Sequence, residues 1–178
     1  MIADYATHSV PGKKIKNLSE SLNTIGLLGI NLALLVAFYY QFFGHELPCP
    51  LCLLQRVGLM AIGIGFLMSL RFGVSFSYYG LAIISAVVSG IISMRQVLLH
   101  IVPGTGNYGS ALFGIHLYTW GLLAAFGVII FIAALLILEY FRISTNRSSS
   151  ISILGRISIG LFSLLVAMNL VSSFFVSE

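Results

Sequence analysis

Five apolar runs, each near the ~20 residues a helix needs to cross a ~30 Å hydrocarbon layer, constrain this chain more than any other feature. They are roughly Ile25–Phe43, Cys52–Leu70, Ser77–Met94, Leu117–Tyr140 and Ile157–Phe175. Lipid offers no water to backbone N–H and C=O groups, so such segments must be helices or strands of a closed barrel. A barrel strand alternates polar and apolar residues over ~10 positions, and LLAAFGVIIFIAALLIL, residues 122–138, does not alternate. The expectation is an all-α integral membrane helix bundle. Composition agrees: 58% hydrophobic, 8% charged and a mean hydropathy of +1.04 leave too little polar surface for a domain living in water.

The first run is too long for a signal-peptide core, and no small-residue cleavage site follows it, so it reads as a retained span. Residues 1–23 are polar and carry Lys13, Lys14 and Lys16, the pattern of a cytoplasmic tail. Cytoplasmic segments collect Lys and Arg. With the N-terminus inside, the inner segments hold Lys13, Lys14, Lys16, Arg71, Arg142, Arg147 and Arg156, seven of the nine basic residues. The outer side keeps Arg56 and Arg95, both at span ends. The net charge of +4 is thus a topology signal and implies no nucleic-acid partner. Aromatic clusters Tyr39–Phe43, Tyr78–Tyr79, Tyr118–Trp120 and Tyr140–Phe141 stand at the expected headgroup levels.

This orientation puts residues 44–51 and 103–116 on the outer, oxidising side. There lies HELPCPLCLLQRVG, residues 45–58, with both cysteines of the chain. Cys49 and Cys52, three apart at a helix start, can close a small strained disulfide. The helix N-terminus favours thiolate, and Pro50 suits a first turn where its missing N–H is no loss. A pair whose reduced form is stabilised is a good oxidant when oxidised. Arg56 is one turn deeper than Cys52 on the same face. A cation inside a span costs up to ~3 kcal/mol at the bilayer centre, and a thiolate or a negatively charged acceptor would offset it.

Two other readings of these residues stand beside a redox site. One is a structural disulfide in a non-catalytic scaffold, with Arg56 reaching to the headgroups. A three-residue loop would make that staple weak. The other is a metal site of Cys49 and Cys52 with His45, His100 or His116. A c-type haem attachment is excluded, since Leu53 rather than His follows the second cysteine.

The string CPLCLLQR at an outer helix end resembles the signature of the disulfide bond formation protein B (DsbB) family. RQVLLHIVPG (residues 95–104) and LFGIHLYTWGLL (residues 112–123) are similar to that family's third-span end and fourth-span start. The likeness runs from about residue 20 to 141. It implies a four-helix DsbB-like membrane domain over residues 24–141; the apolar runs and basic residues add a cytoplasmic N-terminal tail, 1–23, a cytoplasmic loop, 142–156, and an extra transmembrane helix with the C-terminus, 157–178. It also implies a quinone-dependent protein-disulfide oxidoreductase in the bacterial inner membrane, with the CxxC on the periplasmic side. Electrons would pass from a periplasmic thiol oxidase (DsbA-like) or another dithiol protein to Cys49–Cys52, then to a membrane ubiquinone or menaquinone. Carried over by residue, Cys49 exchanges with the incoming thiolate, Cys52 stands next to the quinone, and Arg56 polarises a quinone oxygen. Gln55, Arg95, Gln96 and His100 are candidate walls of the quinone pocket, and the resemblance implies no metal.

Three features depart from that family. The outer segment PGTGNYGSALFGIH lacks the second cysteine pair that usually meets the soluble oxidase. Gln96 stands where many relatives have histidine, with His100 one turn on. The fifth span is extra, and its Gly155, Gly160 and serines suit close helix contact. Asn31 and Asn169, polar residues inside spans, are expected to make interhelical hydrogen bonds. His116 and Trp120 flank the outer mouth.

Overall fold

The computed structural model describes residues 11–43, 50–101, 111–140 and 151–176, with side chains from Leu18 to Ser172 within them. His45, Cys49, the loop 142–150 and Glu178 lie outside the described residues. Helices α1 (Pro11–Phe42), α2 (Pro50–Phe72), α3 (Phe76–His100), α4 (Leu117–Tyr140) and α5 (Ile153–Val176) follow in order. A two-stranded hairpin, β1 (Ala111–Leu112) and β2 (Ile115–His116), precedes α4. All five helices are long and apolar enough to cross a membrane, and large apolar side chains such as Leu32, Ile84 and Ile130 cover the outside of the bundle. The chain is a multi-pass helical membrane protein, as its apolar runs predict.

Helix α1 begins at Pro11, well before the predicted span start at Ile25. The Lys-rich stretch is too polar for the hydrocarbon but has good helix formers, so the helix continues beyond its apolar part. Gly73, at φ +87, ends α2 in the left-handed conformation that glycine adopts freely. Residues 73–75 then turn the chain directly into α3. In the hairpin, Ala111 pairs with His116 and Leu112 with Ile115. Phe113 and Gly114 form its two-residue turn, at φ 54 and 78. Positive φ at both positions is the turn geometry that matches strand twist.

Lipid tails are as apolar as leucine, so close packing and polar contacts must hold the helices together. Helices α2 and α3 approach through small residues. A Cβ added to Gly58 would stand 2.8 Å from Ser89 Cβ, and one on Gly65 would stand 2.8 Å from Tyr78 O. These two notches lie two turns apart on α2 and fix the register of the pair. Phe162 of α5 fills a third notch at Gly63. Asn31 Nδ2 of α1 donates to Ser158 O at 3.0 Å and to Ser158 Oγ at 3.3 Å, the interhelical bond expected of it. Leu27, Leu34, Ile62, Phe66, Ile132 and Leu165 form the centre of the core.

The polar contacts also order the bundle end to end. At one end Ser19 Oγ of α1 donates to Glu139 Oε1 of α4, and Asn23 Nδ2 donates to Tyr79 Oη of α3 at 2.8 Å. At the other end meet the last turns of α1, α3 and α5 and the first turns of α2 and α4. Helices α1 and α5 therefore run parallel, in an up-down-up-down-up arrangement.

Candidate functional site

The first turn of α2 carries a disulfide. Pro50 opens the helix, and Cys52 is held in a disulfide. The other cysteine of the sequence is Cys49. Gln96 of α3, 1% exposed, turns its amide toward this sulfur. Its Nε2 donates to Cys52 Sγ at 3.6 Å, while its Oε1 accepts from Gln55 Nε2 at 3.0 Å. Both ends of the Gln96 amide are thereby used, and its donor faces the Cys52 sulfur.

Arg56 lies one turn below Cys52 and is buried, 6% exposed. It does not reach out to the headgroups. Its guanidinium crosses to α1, where Nη2 donates to Ala37 O at 2.9 Å and Nη1 donates to Gln41 Oε1. Its Cζ stands 5.1 Å from the centre of the Phe38 ring, a cation over an aromatic face. The desolvation of this charge is thus offset by groups of α1, where the sequence suggested only a thiolate or an acceptor.

Cys52, Gln55, Arg56 and Gln96 line one cavity of about 320 Å³. Its remaining walls are mostly apolar: Leu32, Ala33, Val36 and Ala37 of α1 on one side, Leu117, Gly121 and Ala124 of α4 on the other. Tyr40, Gln41, Ser89, Tyr118 and Trp120 also line it, with Leu112 of the hairpin. Trp120 Nε1 donates to Leu112 O at 3.1 Å, tying the hairpin to α4. Leu32 and Trp120 line the cavity and are themselves 64% and 38% exposed. The space therefore opens sideways, between α1 and α4, at a lipid-facing flank.

Two predicted site residues are placed elsewhere. Arg95 is exposed and borders a separate apolar groove between α3 and α4, with Gly90, Met94, Leu98, Leu122 and Phe126. Neighbouring residues on a helix point ~100° apart, and the rotation of α3 turns Gln96 inward and Arg95 outward. His100 is not among the cavity walls. Its Nδ1 lies 2.8 Å from Gln96 O, and its ring stacks on Tyr118 at 5.3 Å. His116 stacks on Tyr118 at 5.2 Å. Among the described residues no three His, Cys, Asp or Glu side chains converge as a metal site would require.

Sequence reasoning missed Gln41. It is one polar residue in the aromatic stretch YYQFF, which reads as a headgroup belt. A polar side chain facing the same helix end as a buried arginine was the available signal. Ser172, whose Oγ accepts from Gln41 Nε2 at 2.6 Å, was equally hidden among the serines of α5.

The fold and site define a multi-pass helical membrane protein with a helix-end disulfide set in a lipid-facing cavity beside a buried arginine. The chain belongs to the disulfide bond formation protein DsbB family, whose profile matches residues 19–107. It is also similar to disulfide bond formation protein B of Nitrosococcus oceani, 44% identical over 45 residues, 25% of this chain and 27% of that protein. The chain thus matches about a quarter of that relative's length. No solved structure matches the chain. The matched stretch holds α1 to α3 with the cysteines, Arg56 and Gln96, while α4 and α5 lie beyond it.

Proposed function

We propose that this protein is a quinone-linked disulfide oxidase, and one observation carries the reading: Cys52 Sγ, the Gln96 amide and Arg56 line one cavity that opens toward lipid. A quinone head is flat and apolar on both faces, with carbonyl oxygens that accept hydrogen bonds. The cavity offers apolar walls from α1 and α4 for the faces. For the oxygens it offers donors from Arg56 and from the Gln55 and Gln96 amides. The residues fit the group. An isoprenoid tail would leave between α1 and α4 past Leu32.

When bound, a quinone supplies a two-electron, two-proton acceptor. The chain's own residues do the rest. A partner dithiol, in the family's pattern a periplasmic thiol oxidase, attacks the Cys49–Cys52 disulfide, so the partner is oxidised and both cysteines are reduced. Cys52, which lines the cavity, would be the cysteine that passes the electrons to a bound acceptor. Arg56 presents fixed positive charge where negative charge develops, the preorganised stabilisation that is strongest where water is excluded. Cys49 and Cys52 close again, and two electrons and two protons leave with the quinol. On this reading the site end of the bundle faces the periplasm and the protein resides in the bacterial inner membrane. The absence of a second cysteine pair in the sequence means the partner reaches Cys49 directly or through a separate relay protein.

The experiment is turnover by the purified full-length protein with a reduced dithiol protein and ubiquinone-1, following quinol formation. Wild type should cycle, and Cys52→Ser should abolish quinol formation, while its Cys49 thiol should still attack the disulfide of the oxidised partner and trap it as a mixed disulfide. A wild-type protein that exchanges thiols but reduces neither ubiquinone-1 nor a menaquinone analogue rules the reading out.

A further inference from the structure

Arg56 is not held by the cavity alone. Its Nη1 donates to Gln41 Oε1, and Gln41 Nε2 in turn donates to Ser172 Oγ of α5 at 2.6 Å. An amide has one donor end and one acceptor end, whereas a guanidinium carries donors alone. Gln41 can serve Arg56 in one orientation, oxygen toward the guanidinium, and the flipped amide would set donor against donor. The donor-only guanidinium selects that orientation, and Ser172, 8% exposed, accepts from the NH₂ end and so tethers the amide at its second end. Helix α5, which lies beyond the family match, thereby reaches the site through one relay.

We infer that Ser172 is a positioning residue: by accepting from Gln41 it fixes the Gln41 amide, which fixes the Arg56 guanidinium on the cavity wall for quinone binding. The inference rests on the quinone reading above. It gives the fifth helix a role in the site, with Asn31–Ser158 and the Phe162–Gly63 contact docking that helix on α1 and α2. Without the Ser172 hydroxyl, Gln41 Nε2 loses its partner in a part-buried setting and the amide is held by Arg56 alone. Free to turn about its side-chain bonds, it holds the Arg56 guanidinium on the wall less firmly.

Trp120, the single tryptophan of the chain, lines the cavity, so quenching of its fluorescence by ubiquinone-1 reads binding without turnover. In the full-length oxidised protein, Ser172→Ala should weaken ubiquinone-1 binding about three- to ten-fold, the range of one neutral hydrogen bond. Ser172→Thr, which keeps the hydroxyl, should restore it. Gln41→Glu pairs with Arg56 through charge and needs no second tether, so adding Ser172→Ala to that variant should change binding little. The rate at which dithiothreitol reduces the disulfide without quinone should be the same in all Ser172 variants. Ser172→Ala with wild-type affinity overturns the inference, as does an equal loss in both the Gln41 and the Gln41→Glu backgrounds, which a merely structural role would give. A wild type whose fluorescence ubiquinone-1 leaves unchanged removes the quinone reading itself, and this inference with it.

Discussion

Replacing Arg56 by methionine separates the two things this residue does. For the fold, the change removes two charged hydrogen bonds, to Ala37 O and Gln41 Oε1, and the contact with Phe38. Each charged bond contributes about 1.5–3 kcal/mol and the ring about 0.5–2 kcal/mol. Against them stands the desolvation of a guanidinium that is 6% exposed, several kcal/mol in its own right. An apolar side chain of similar length removes both sides of that balance, so the melting temperature should move little, within about 2 kcal/mol in stability. For electron transfer nothing replaces the lost charge. A unit positive charge ~5 Å from developing negative charge, at an effective dielectric near ~20, contributes about 3 kcal/mol. Turnover with ubiquinone-1 should therefore fall about 10²-fold while dithiothreitol still reduces the disulfide at the wild-type rate. Arg56→Lys keeps the charge but cannot span Ala37 O and Gln41 together, and should lose about ten-fold. Arg56→Met turning over within about three-fold of wild type would refute the electrostatic role. An equal loss of turnover and of thermal stability would make the arginine a structural strut instead.

Other expected outcomes follow from single contacts. Gln96→Leu removes the donor to Cys52 Sγ and leaves Gln55 Nε2 without its acceptor; reoxidation of the reduced protein by ubiquinone-1 should slow about five- to ten-fold. Gly65→Val drives a side chain into Tyr78 O and Ala82, so thermal unfolding should show a loss of about 1–3 kcal/mol or more, whereas Gly160→Ala, with nothing within 4 Å, should be tolerated. Phe113, 89% exposed, holds a positive φ that a bulky side chain dislikes. Phe113→Asn supplies the turn with an Asn-Gly pair and should slow amide exchange across the hairpin rather than hasten it.

The spans were legible because the bilayer fixes the length of apolar sequence a helix needs, and the five runs meet it. The Asn31 bond was legible because a polar side chain in lipid must find a partner. That Cys52 and Arg56 border the same space was legible because four residues are one turn of helix. What the sequence hid is helix rotation. In a membrane protein both the buried and the lipid-facing positions are apolar, so α3 carries no stripe to say that Gln96 turns inward and Arg95 outward. The same uniformity hid Gln41 and Ser172, whose roles depend on two parallel helices meeting at one end. The start of α1 at Pro11 escaped because hydropathy marks the membrane rather than the helix. The hairpin escaped because Phe113-Gly114 lacks the usual turn residues.

The most direct test mixes the fully reduced protein anaerobically with ubiquinone-1 in one turnover, counting free thiols and quinol together. If the Cys52 sulfur empties its electrons into a quinone lodged against Arg56, one quinol should appear for each disulfide regained, and Cys52→Ser should yield none. Thiols that stay reduced while ubiquinone-1 quenches Trp120 would contradict the account, because the quinone would then sit in the cavity without receiving anything from the sulfur beside it.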